Sequence, residues 1–138
     1  MSRGPGAFTP AARAAILTAA LHACVGCRRP MDEAHHRRPR GMGGTTNTLI
    51  GEPWNGLALC RRCHAWAESN RDHARTLGWI TPTPSPNAPY WTSHYGWCVW
   101  VLLDDDGPPT WCIAPFQSPP NPAAEQSAKT YRHTQEKR

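Results

Sequence analysis

The sequence predicts a small α+β domain stapled by one four-cysteine zinc site, with a helix in front of it and a β-hairpin appended behind it. Three observations carry that prediction. Two Cys-x-x-Cys pairs, Cys24-Val-Gly-Cys27 and Cys60-Arg-Arg-Cys63, stand 32 residues apart. An alanine-rich segment of high helical propensity precedes the first pair. A run of aromatic and β-branched residues, broken by Asp104-Asp-Asp-Gly107, follows the second. With 138 residues, 39% of them hydrophobic, and 15 prolines among 11 glycines, the chain is short of apolar material and rich in loop. A domain this thin needs a staple beyond its core.

The four cysteines supply it. Clustered cysteines bind metal more often than they oxidise in a reducing compartment, and two Cys-x-x-Cys knuckles suit one tetrahedral structural Zn²⁺. An unfolded chain holds no such site, so zinc binding becomes folding free energy.

The elements follow in order. Residues 1–9 are Gly/Pro-rich and expected to be disordered. Thr9 caps a helix from Pro10 to about Leu21, with Ile16, Leu17 and Leu21 on its apolar face. Cys24–Cys27 is the first knuckle, Met31–His36 an extended segment, and residues 37–53 a basic, Gly-rich loop. Leu57–Leu59 is a short strand entering the second knuckle, and His64–Leu77 a helix that Gly78 terminates. Residues 10–80 thus form the metal-holding domain. Thr81–Pro89, with four prolines, reads as a linker, residues 90–115 as a hairpin, and residues 116–138 as a disordered tail. Cys98 and Cys112 flank the turn where a hairpin brings them opposite; free thiols are expected, with a cross-strand disulfide under oxidising conditions.

Net charge is +5 and the isoelectric point about 9.1, which favours a polyanionic partner. Arg37, Arg38 and Arg40, with Arg61 and Arg62 on the second knuckle, are candidate DNA-binding residues, since guanidinium matches phosphate in charge and geometry. A solvated basic face is the alternative for any one of them. Ala11–Ala23 contains Arg13 and His22 and does not read as a signal peptide. No apolar run reaches the ~20 residues of a membrane span. A cytoplasmic location without membrane association is the expectation.

Three histidines sit between and beside the knuckles: His35-His36 eight residues after Cys27, and His64 directly after Cys63. Adjacent side chains on an extended strand face opposite sides. If His35 turns toward a metal, His36 is left for a substrate. His22, His73, His94 and His133 have no motif partner.

Taken together, Cys24-x-x-Cys27, Ala34-His35-His36 and Asn55-x-x-x-x-Cys60-x-x-Cys63-His64 resemble the HNH nuclease pattern. The stretch from His35 to Gly44 further resembles small HNH proteins of actinobacterial phages, in whose setting the location is the bacterial host's cytoplasm. The resemblance implies a ββα-metal core and hydrolysis of DNA phosphodiester bonds to 5′-phosphate and 3′-hydroxyl ends. It implies His36 as general base. His35 and His64 become ligands of one catalytic divalent ion, Mg²⁺, Mn²⁺, Ni²⁺ or Zn²⁺, with Glu68 a further candidate ligand. Asn55 becomes the residue bracing the loop that orients His36, with Asn47 the alternative. Double-stranded DNA is the implied substrate, and a phage terminase the implied partner in genome packaging. A non-catalytic zinc module that binds nucleic acid is the rival reading. A zinc deaminase fits poorly, because no glutamate follows His35 or His36 by two and Leu59 precedes Cys60.

Overall fold

Proline at the first position and a side-chain cap start helix α1, Pro10–Ala19. Thr9 Oγ1 accepts from the Ala12 N–H at 3.0 Å. The computed structural model describes residues 7–31, 33–38, 51–103, 110–116 and 122–136. Arg40, Asn47 and residues 104–107 lie outside them. α1 buries Ala12, Ile16 and Leu17 and stops sooner than its composition suggests. Leu21 and His22 take φ values of 57° and 55°, so the chain swings out of the helix and leaves Leu21 exposed, not packed.

After the first knuckle, β1 (Ala34–His36) pairs antiparallel with β2 (Gly56–Ala58), His35 opposite Leu57 and His36 opposite Gly56. No side chain fits at Gly56, because a Cβ there would strike the Ile16 side chain of α1. β2 runs into Cys60, whose Sγ accepts from the Cys63 N–H at 3.5 Å and caps α2, Arg61–Ser69. The single helix expected over His64–Leu77 is in fact two. Asn70 breaks it at φ −133°, ψ 55°, its Nδ2 donating to the Trp66 carbonyl at 2.9 Å, and α3 runs Arg71–Thr76. Gly78 ends α3 at φ 76°, where a Cβ would collide with the Pro89–Tyr90 backbone.

Two sequence expectations about the second half fail. The hairpin is a three-stranded antiparallel sheet, β3 (Tyr90–Thr92), β4 (Gly96–Leu103) and β5 (Thr110–Pro115). It is no appendage either. The Trp91 N–H donates to Leu77 O at 2.9 Å and the Ser93 N–H to Val25 O at 2.7 Å, tying β3 to α3 and to the knuckle. Tyr90, Trp91 and Trp100 are buried in the same core as α1 and α2. A small sheet alone could not cover such side chains. The Pro-rich run is tethered too, since the Trp100 N–H reaches back to Pro86 O at 3.0 Å. The register pairs Val101 with Cys112 and Cys98 with Pro115, so the two thiols are offset and both cysteines are free.

The tail is the other correction. Pro122–Glu136 forms α4, with Ala124, Ser127, Ala128 and Tyr131 buried at helical spacing. Small residues let α4 lie close on α3, where the Ser127 hydroxyl meets His73 Nδ1 at 2.9 Å and also bonds Thr76 Oγ1. Among the described residues no helix is long and apolar enough to cross a membrane.

Candidate metal centre and histidine pair

The two knuckles bring four sulfurs together. The Sγ atoms of Cys24, Cys27, Cys60 and Cys63 all lie within 4.8 Å of one another, and those of Cys27 and Cys60 are 3.6 Å apart. Tetrahedral Zn–S bonds of about 2.3 Å place sulfurs about 3.8 Å apart, so the spacing fits. Cys24 Sγ accepts from three backbone N–H groups, of Gly26 at 3.3 Å, Cys60 at 3.4 Å and Cys27 at 3.5 Å. The Cys63 thiol and these N–H groups together pull the Cys24 thiol down to about 4. Burial pushes Cys27 up to about 11, and Cys63 is raised by its contact with Cys24 and by burial. These four residues could hold one metal ion, and an all-sulfur, largely buried set is consistent with a structural zinc.

α4 completes the surroundings of this centre. Tyr131 Oη lies 3.0 Å from Cys63 Sγ, positioned to donate to a thiolate. The same ring meets Trp66, Trp79 and Trp91 edge-on at 5.0, 5.1 and 5.7 Å. Gly26 makes room, because a Cβ there would sit 2.5 Å from the Tyr131 hydroxyl. The sequence reading missed Tyr131, although the Ala124, Ala128, Tyr131 spacing carries the signal.

The strand alternation in β1 separates the two histidines. The His35 ring stacks on His64 of α2 with centroids 4.5 Å apart, while His36 stacks on Phe8 at 4.0 Å. Phe8, placed by sequence in a disordered segment, is buried there. Burial, then the neighbouring His64, lowers the His35 pKa, which favours the neutral imidazole. His35 Nε2 lies 3.4 Å from the Glu33 carboxylate, and His64 Nε2 3.6 Å from that of Glu68. Glu68 is half exposed and also pairs with Arg71 at 2.7 Å. Among the described residues, only the cysteine quartet groups three or more such side chains closely enough for an ion. His35 and His64 therefore come as a stacked pair, with Glu68 beside His64.

Asn55 is fully buried just before β2, whose first residue, Gly56, pairs with His36. Its Oδ1 accepts from the Arg38 N–H at 2.9 Å, and its Nδ2 donates to the Arg38 carbonyl at 3.2 Å. The Arg37 N–H donates to Asn55 O at 2.7 Å, so Asn55 grips the chain just after His36 from side chain and backbone alike. Arg37 itself contradicts its assignment to DNA. Its side chain is buried, with Nε donating to Gly78 O at 2.6 Å, Nη1 to Trp54 O at 3.1 Å and Nη2 to Pro89 O at 3.4 Å. The carbonyls of three chain segments hold its guanidinium inside the fold, where a phosphate on the surface does not reach it. Arg38 and Arg61 are exposed, and Arg62 is half buried.

Comparison with family models, with curated proteins and with solved structures finds no match.

Proposed function

We propose that this protein is a metal-dependent endonuclease of the HNH type that hydrolyses phosphodiester bonds in double-stranded DNA. The observation that carries the reading is the His35–His64 stack at 4.5 Å, between β1 and the first turn of α2, in a β-β-α unit whose ends the cysteine quartet pins together. A divalent ion bound by these two imidazoles would supply Lewis-acid stabilisation of the phosphate and of the leaving 3′ oxygen. His36, on the other side of the strand, takes the proton of the attacking water, with Phe8 packed on its ring and Asn55 holding the following residues. The four cysteines keep the frame rigid and take no part in the chemistry. Cleavage leaves 5′-phosphate and 3′-hydroxyl ends, and genome packaging beside a phage terminase is the setting this activity suits.

Plasmid nicking with added Mg²⁺, Mn²⁺ or Ni²⁺ tests the reading. Wild type nicks, while His36→Ala and His64→Ala lose about 10²–10⁴-fold in rate and keep their zinc. If wild type leaves plasmid intact with every ion, the enzyme reading fails. The rival, a non-catalytic zinc module that binds nucleic acid, then stands only if gel shift shows binding.

A further inference from the structure

We propose that the basic cavity behind the cysteine quartet is a separate binding site, which takes a backbone phosphate of a nucleic-acid strand. The cavity has a volume of about 500 Å³ and is lined by Arg28, Arg29, Arg62 and Arg132, with Ser93 and Gln135 adding polar groups. These arginines come from the first knuckle, from α2 and from α4, so only the folded chain assembles them. No carboxylate lines the cavity, and among the described residues no acid pairs with any of the four.

Two of the guanidinium groups are already held in place. Arg28 donates to the Ser93 carbonyl, and Arg132 lies over the Trp91 ring at 5.1 Å. A preorganised guanidinium loses less freedom on binding an anion. Charge balance for the metal centre does not use up all four, because a zinc tetrathiolate is only doubly negative. The space exceeds a bare phosphate and suits a nucleotide-sized ligand. Trp91 is buried beneath Arg132, so the site offers charge and hydrogen bonds with no stacking face, which reads backbone and not base. The cavity is also distinct from the histidine pair. Arg62 and His64 lie two positions apart in α2, about 200° around the helix, so the two sites open to opposite sides.

The test is fluorescence anisotropy of a labelled short single-stranded DNA with the full-length zinc-loaded protein and no added divalent ion. Arg29→Gln combined with Arg132→Gln weakens binding about tenfold, and the log–log salt slope flattens by roughly one per arginine removed. Arg71→Gln with Arg75→Gln, on α3, binds as wild type does. Inorganic phosphate and a mononucleotide compete only at far higher concentration than the unlabelled strand. Wild-type affinity in the Arg29/Arg132 double variant overturns the proposal. Unchanged DNA binding with loss of zinc reassigns the arginines to charge balance and also overturns it. A mononucleotide as tight as the strand overturns the strand as ligand. Because no cleavage is read, a plasmid left intact removes the nuclease reading without touching this one.

Discussion

Exchange of Arg37 for methionine keeps the apolar stem of a buried side chain and deletes its charge and its donors. Three carbonyls then lose their partners: Gly78 O at 2.6 Å, Trp54 O at 3.1 Å and Pro89 O at 3.4 Å. An unsatisfied buried acceptor costs about 1–3 kcal/mol, and the third bond is long enough to count for little. Against this stands the penalty of burying a cation with no carboxylate, since burial pulls the guanidinium down to about 10. With the two close carbonyls at the upper end of that range, the balance is a loss of about 2 kcal/mol, a sizeable part of the 5–15 kcal/mol typical of a domain. Arg37→Lys loses nearly as much, because one ammonium cannot span three segments. Urea unfolding of the zinc-loaded proteins measures the difference. The sign of the pH dependence is fixed as well. A base whose folded pKa lies below its unfolded value leaves the unfolded chain holding more protons, so wild type gains stability as pH rises above about 10. The methionine variant lacks that gain. A midpoint within about 1 kcal/mol of wild type, with a flatter salt slope for DNA binding, would refute this reasoning and return Arg37 to the DNA surface.

Other outcomes follow from the same contacts. Stripping the metal with a strong chelator, or Cys24→Ser, unfolds the domain by circular dichroism; a folded, metal-free Cys24→Ser protein would remove the structural role of the site. Asn55→Ala takes away the partner of both backbone groups of Arg38 and costs about 1–2 kcal/mol in urea unfolding. Tyr131→Phe keeps the aromatic packing and loses the hydroxyl at Cys63, for about 1 kcal/mol in thermal unfolding. Glu68→Gln removes only exposed pairs and shifts stability by less than about 1 kcal/mol.

What the sequence discloses here is what depends on near neighbours. The cysteine quartet is legible because each knuckle is a four-residue pattern, and the start of α1 because Thr9 and Pro10 form a local cap. His35 meets His64 because the knuckles they follow, by eight residues and by one, are themselves brought together. The place of Arg37 is not legible. A basic run looks the same whether it faces water or carbonyls, and the three carbonyls that bury it come from residues 54, 78 and 89. The signal of α4 is faint, because the small side chains of Ala124, Ser127 and Ala128 make a narrow buried stripe among glutamines and charges. The offset of Cys98 from Cys112 rests on a strand register that no local residue specifies. Phe8 is a single aromatic in a Gly/Pro-rich stretch, and only the position of His36 gives it a place to stack.

The contact between Tyr131 and Cys63 spans 68 residues of chain, which sets an order in time. A ribosome releases all four cysteines well before it makes α4, so the sulfurs are free to capture their ion while the last helix does not yet exist. The helix arrives afterwards and closes over Gly26, where only a missing side chain lets the tyrosine hydroxyl in. α4 thus packs on a quartet that its own residues do not complete, and in Gly26→Ala, where the hydroxyl cannot seat, a chelator removes the metal faster than from wild type.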